Sequence, residues 1–181
     1  MNERDGGTVW QIDPKHTLVE FAVAYLALTT VKGRFTGVSG TIRANEADPA
    51  RSSVEVEIDA ASLETSEGRR DSHLRSADFL DVERFPTITF TSTRVEGAGP
   101  DRLLVHGDLT IRGLTHAVVL DTHINGRSRN LDGFEVAGFT AQTQIRRQDF
   151  GLTWNQTLET GGVMVGDTVS LQLEVQAIRQ E

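Results

Sequence analysis

Apolar and polar residues alternate along most of this chain, a period-2 pattern that predicts β-strands. In "SSVEVEIDA" (52–60), Val54, Val56 and Ile58 fall on one face and Glu55, Glu57 and Asp59 on the other. "RLLVHGDLTIR" (102–112) sets Leu103, Val105, Leu109 and Ile111 against Arg102, His106, Asp108, Thr110 and Arg112. "TVSLQLEVQA" (168–177) sets Val169, Leu171, Leu173 and Val175 against Ser170, Gln172, Glu174 and Gln176. In "LVEFAVAYL" (18–26), Val19, Phe21, Val23 and Tyr25 form one row and Glu20 marks the other side. One dry and one wet face per strand suits an antiparallel sheet.

In "GFEVAGFTAQTQI" (133–145) the phase breaks: Phe134 and Val136 share one parity, and Phe139, Ala141 and Ile145 the other. A β-bulge near Ala137-Gly138 restores the register. Turn-forming residues separate the strands at 45–49, 96–101, 112–114, 125–133 and 160–167. The pattern gives about eight strands, several of them long, which favours a closed barrel over a sandwich. No repeat, low-complexity tract or linker divides the chain, so residues 1–181 are expected to form a single all-β domain.

"HLRSADFLDVERFPTITF" (73–90) departs from the pattern. Leu74, Ala77 and Leu80 recur at helical spacing, which predicts a short helical insert over about 66–82. Ser76 is placed to cap its second turn, with Asp78 near the amino end. Pro86 pushes Phe85 toward extended geometry, and Ile88 and Phe90 resume the alternation. The insert must bury its apolar face over one end of the barrel. Spacing leaves two roles open: a plug that completes the core, or a rim over an apolar cavity.

Composition narrows the function. With 18 Lys+Arg against 26 Asp+Glu, the formal charge is −8. That charge repels phosphate backbones and anionic headgroups, which argues against nucleic-acid binding and electrostatic membrane attachment. No stretch approaches the ~18 apolar residues of a membrane span. The chain has no cysteine, which removes thiolate chemistry and disulfides. "MNERDGGTVWQID" has no signal-peptide pattern, so the expected compartment is the cytoplasm, or the periplasm if a leader has been removed.

Candidate chemistry is sparse. The histidines at 16, 73, 106, 116 and 123 show no metal-ligand spacing. No nucleophile elbow, acid/base carboxylate pair or P-loop is present. Two clusters, "GRRDSHL" (68–74) and "IRRQDFGLTW" (145–154), each place two arginines beside an acid. Arg69 and Arg70, with Arg146 and Arg147, are candidates for an anion at the mouth of a lipid site. The alternative is loop-pinning ion pairs such as Arg147 with Asp149.

Taken in order, six stretches resemble the YceI family of bacterial lipid-binding proteins. They are "WQIDPKHTLVEFAV" (10–23), "VKGRFTGVSGTI" (31–42), "RRDSHLRSADFLDVERFPTITFTST" (69–93), "VHGDLTIRGLTHAVVL" (105–120), "IRRQDFGL" (145–152) and "VGDTVSLQLEV" (165–175). The resemblance implies an elongated, eight-stranded, antiparallel lipocalin-like barrel holding a polyisoprenoid or similar amphiphile. It also moves the insert from plug toward rim. Where the family often has histidine in F-x-V-x-H, this chain has Tyr25.

On that reading the lumen is lined from the first half of the chain by Phe21, Val23, Tyr25, Phe35, Val56 and Ile58. The insert adds Leu74, Phe79 and Leu80, and the strand after it Ile88 and Phe90. Leu109, Ile111, Phe139, Ile145, Phe150, Leu171 and Leu173 complete it. Headgroup candidates are Arg69, Arg70, His73, Arg146 and Arg147. The implied protein is a non-enzymatic carrier or store for a long isoprenoid, quinone- or pyrophosphate-headed, with no metal or cofactor beyond that lipid. Alternatives are a fatty acid or fatty amide ligand, an enzyme on such lipids using Tyr25 or His73, and a solid-cored interaction protein. A homodimer is compatible with exposed barrel surface.

Overall fold

A computed structural model describes residues 7–181. Eleven strands and one helix follow in order: β1 (Gly7–Ile12), β2 (Leu18–Tyr25), β3 (Thr29–Phe35), β4 (Val38–Asn45), β5 (Ser53–Asp59), β6 (Leu63–Glu64), α1 (Gly68–Arg75), β7 (Thr87–Gly99), β8 (Arg102–Ile111), β9 (Leu114–Arg129), β10 (Glu135–Arg146) and β11 (Val165–Arg179). Hydrogen bonding runs β1-β4-β5-β7-β8-β9-β10-β11 and returns from β11 to β1, a closed ring of eight strands. The remaining strands, β2, β3 and β6, extend from β11. Every pairing is antiparallel.

The three extra strands are continuations of ring strands. β1 and β2 both lie along β11, at Ala177–Arg179 and Val165–Glu174 respectively, so together they form one broken stave. β3 and β4, then β5 and β6, break in the same way beside them. Two of the breaks are short 3₁₀ turns capped by an aspartate. Asp13 Oδ1 accepts from Lys15 N at 3.0 Å ahead of Pro14, and Asp59 Oδ1 accepts from Ala61 N at 3.0 Å. The cap satisfies an amide that the interrupted ladder leaves unpaired.

At one end the ring is incomplete. β6 pairs with β3 at only two positions, Arg34↔Glu64 and Phe35↔Leu63, and the chain then leaves the sheet for α1. The segment 68–85 fills this gap and is tied to both sides. Arg75 donates to the Ala61 and Leu63 carbonyls, and Arg112, in the β8–β9 turn, donates to the Phe79 carbonyl at 2.6 Å.

The alternation in β5, β8 and β11 appears where the sequence predicts it, and β10 shifts register between Gly138 and Phe139 against β9. The insert falls within the expected 66–82, with its regular helix confined to the first half. Its helix covers Gly68–Arg75 and begins at Glu67, whose carboxylate caps the Arg69 and Arg70 amides. Ser76 ends the helix, its Oγ donating to the His73 carbonyl at 2.6 Å, and it also caps the turn that follows as expected, its Oγ accepting from Asp78 N at 3.3 Å. Ala77 is exposed, so only Leu74 and Leu80 of the expected stripe face inward. Three predicted turns are also shorter, because β7 runs on to Gly99, β9 to Arg129, and β11 starts at Val165.

The main core includes Val38, Phe90, Val95, Val105 and Leu109. A second cluster of Trp10, Ala137 and Ala177 closes the end opposite the gap, with Arg127 over the Trp10 ring.

The β2–β3 hairpin carries local strain. Its two central residues, Leu26 (φ 55°) and Ala27 (φ 56°), are both left-handed, the backbone of a type I′ turn without its usual asparagine and glycine. Leu28 N donates to the Tyr25 carbonyl at 3.1 Å across it. Relieving the Cβ clash at residue 27 stabilises the protein: Ala27→Gly raises the unfolding free energy by about 1 kcal/mol and Ala27→Val lowers it. Urea denaturation of the three proteins measures both effects.

Candidate functional site

A cavity of about 540 Å³ occupies the end of the barrel beneath the insert. Its size falls within the range of small-molecule sites. β2 runs along its wall, and exposure rises along that strand from 3% at Val19 to 36% at Tyr25. The floor is therefore at Val19 and the mouth at the β2–β3 turn. Facing strands add Val31, Phe35, Ile58, Ile88, Leu109, Ile111, Ile145, Val169 and Leu171. Gly33 permits the Phe21 ring to lie flat against β3, since a Cβ there would meet Phe21 Cζ at 2.3 Å.

The rim comes from three segments. Glu67, Arg69, Arg70, His73 and Leu74 come from α1 and its cap, with Phe79 and Leu80 behind them. The β10–β11 loop contributes Leu152, Trp154 and Met164. The β2–β3 turn closes the circuit, with Leu26 N donating to the Met164 carbonyl at 2.8 Å. His73, Phe79 and Trp154 pack as an aromatic trio, with ring centroids 4.6 Å apart for His73–Trp154 and 5.1 Å for His73–Phe79. His73 Nε2 lies 2.9 Å from Asp78 Oδ2, which fixes the ring edge-on to its neighbours.

Of the residues expected in the lumen, Phe21, Val23, Tyr25, Phe35, Ile58, Leu74, Phe79, Leu80, Ile88, Leu109, Ile111, Ile145 and Leu171 line the cavity. Five lie elsewhere. Val56, Phe90 and Leu173 belong to the packed core beyond the floor. Phe139 joins the Trp10 cluster at the closed end. Phe150 is buried and meets the His116 ring edge-on at 5.2 Å. Strand parity does not separate the four strand residues from the lining, because it assigns a face and not a depth, and Phe150 lies in the 3₁₀ turn after β10.

The arginines have four different environments. Arg147 is 3% exposed and donates to the carbonyls of Leu152, Trp154, Val165 and Gly166 at 2.6–3.2 Å. Burial pushes its pKa down, and the Asp167 charge acts in the opposite direction. It therefore clamps the Trp154 loop to β11, and the pinning partner expected for it, Asp149, is replaced by backbone. Arg146 lies outside the cavity, 3.0 Å from Asp167 Oδ2, which holds its pKa up. Arg70 donates to Thr65 Oγ1 at 2.7 Å and to the Thr65 carbonyl at 2.8 Å, while Asp71 accepts from Thr65 N and Oγ1. Arg69 is exposed at the wall, and its guanidinium has no polar partner among the described residues.

Trp154, Met164, Leu152 and Val31 were not singled out from the sequence. For the first three the available signal was large apolar residues in a segment otherwise patterned as loop, "GLTWNQT" and "GVMVG", and for Val31 its alternation with Gly33 and Phe35 on β3.

Similarity to known proteins extends over nearly the whole chain. The model of the YceI-like domain matches residues 10–177. A UPF0312 protein of Vibrio cholerae is 38% identical over 143 residues, covering 78% of this chain and 76% of its own length. The crystal structure of a Campylobacter jejuni YceI protein superposes with a TM-score of 0.74 at 32% identity, covering 87% of this chain and 90% of that one. A polyisoprenoid-binding domain from Saccharophagus degradans shares the fold, with a TM-score of 0.71 at 15% identity over 96% of this chain and 99% of that one.

The contrast between the arginines is measurable. Arg147→Met strands four carbonyls and costs roughly 3–5 kcal/mol of stability. Arg69→Ala changes stability by less than about 0.5 kcal/mol. Chemical denaturation midpoints distinguish the two.

Proposed function

The chain belongs to the YceI-like domain family, and from that premise we propose that it binds a long-chain lipid of the isoprenoid class, tail first, as a carrier or store. The observation that carries this reading is the cavity's polarity gradient. Its inner wall is aliphatic and aromatic, and its polar and charged groups, Glu67, Arg69, Arg70, His73 and Arg147, come from the rim segments and the clamp of the rim loop. A guest with a long apolar tail and a compact polar end matches both parts.

The energetics favour such a guest. Each CH₂ removed from water contributes roughly 0.8 kcal/mol, so a five-carbon isoprene unit contributes up to ~4 kcal/mol before ordering costs. A few buried units give tight binding and slow release. The aliphatic wall discriminates poorly among tails, which leaves selection to cavity depth and to the rim. At the rim, Arg69 is the cation free to meet a phosphate, pyrophosphate or quinone head, since Arg70 and Arg147 are held by Thr65 and by backbone carbonyls.

That single free cation also suits the carboxylate of a fatty acid, which is the second reading. Binding rather than catalysis is favoured because His73 is engaged with Asp78 and packed between Phe79 and Trp154. Tyr25 offers a polar tip at the mouth, away from the aliphatic floor.

Native mass spectrometry of protein purified without detergent tests the proposal. The expected result is a stoichiometric lipid adduct whose released guest fragments at isoprene spacing and is chemically unchanged after incubation. An acyl guest selects the fatty-acid reading. Bare protein that takes up no added polyprenyl lipid overturns both. Arg69→Ala should weaken a prenyl phosphate about fivefold while leaving the matching prenyl alcohol unaffected.

A further inference from the structure

On three adjacent strands the cavity wall ends at a defined residue. Ile88 on β7, Ile58 on β5 and Leu109 on β8 line it. The next inward residues along the first two strands are Phe90, which is buried core, and Val56, which packs against that core. Phe90 sits in register with both Val56 and Leu109, so its ring lies across the strands that carry the floor.

The ring is held there by an absence. Residue 107, the next inward position on β8, is glycine, and a Cβ at that point would come within 2.4 Å of Phe90 Cζ and 2.6 Å of Cε2. Phe90 thus reaches across β8 where no larger residue would let it. Beyond it, Val95 and Val105 are 2% and 5% exposed and belong to the same core cluster as Phe90.

We propose that Phe90, seated on Gly107, is the stop that sets how much of a lipid tail this barrel accepts. This rests on the lipid-binding reading and adds a chain-length limit to it. From Tyr25 to Val19 the wall runs for six residue steps, roughly 20 Å of strand. Tail carbons within that depth leave water, and each contributes about fourfold in affinity. Carbons beyond it stay outside the mouth and contribute nothing. Affinity should therefore climb with tail length and then level off at a definite break.

The test is a series of prenyl alcohols from geraniol to decaprenol, titrated by the emission of Trp154 at the cavity wall. In the natural protein the break marks the alcohol whose tail reaches Phe90. Phe90→Ala deepens the cavity, moves the break to a longer alcohol and tightens the longer members at least tenfold. Leu109→Phe projects into free space at the same level and moves the break to a shorter alcohol. A thermal melt establishes that each variant is folded. If Phe90→Ala does not fold, the shift in Leu109→Phe decides alone. Breaks that stay fixed in the folded variants overturn the length stop while leaving lipid binding intact. No binding of any alcohol overturns the lipid-binding reading and the length stop with it.

Discussion

The ring of backbone hydrogen bonds closes where β1 meets β11, with Trp10, Gln11 and Ile12 facing Arg179, Ile178 and Ala177. Everything inside the barrel depends on that closure. A closed antiparallel ring has no free edges, and every second side chain must point into the enclosed space. Closure is reinforced nearby. Ala177 is fully buried against Trp10, Arg127 covers the Trp10 ring, and Arg179 bonds Glu135 at 2.7 Å, keeping that carboxyl below its usual range. Once the ring is shut, the question becomes how completely its side chains fill it.

The two ends answer differently, and the difference comes from how staves are interrupted. At the closed end, β4, β5 and β7 pair continuously and inward residues meet to form solid core. At the other end β6 fails to reach β7, and the insert bridges the opening by a few hydrogen bonds from Arg75 and Arg112. A bridge held at its edges leaves space beneath it that a continuous strand would have filled. The cavity is thus a consequence of topology before it is a matter of composition: Phe21, Phe35 and Phe79 all line it.

Much of this was legible in the sequence, for reasons that also explain the gaps. Alternation in β5, β8 and β11 encodes which residues face inward, and the phase break near Gly138 encodes the bulge. Depth leaves no such trace: Ile88 and Phe90 share a parity, yet one lines the cavity and the other lies in the core beyond it. The insert was readable as an interruption with a helix inside 66–82, but the spacing did not reveal that the helix stops at Arg75, so that Leu74 reaches the interior from the helix and Leu80 from the turn after it. Asp-Pro at 13–14 signals a capped break, whereas the gap between β3 and β4 at 36–37 has no aspartate and depends on Ser62 Oγ accepting from Gly37 N.

The arginine pairs show the limit most clearly. Arg146 is the last residue of β10 and Arg147 the first of the 3₁₀ turn that follows it, and their side chains part to the surface and to the interior. One meets a carboxylate at the surface; the other enters the barrel wall, where its charge is tolerable only because carbonyl dipoles from 152–166 surround it. Nothing in "IRRQDFGL" distinguishes them, because backbone carbonyls are present at every position and have no sequence signature. In Arg69 and Arg70 the same ambiguity is settled by Thr65, whose hydroxyl and carbonyl engage Arg70 and leave Arg69 free. The charge available to a guest is therefore set by which guanidiniums the fold has already engaged, and a count of arginines overstates it.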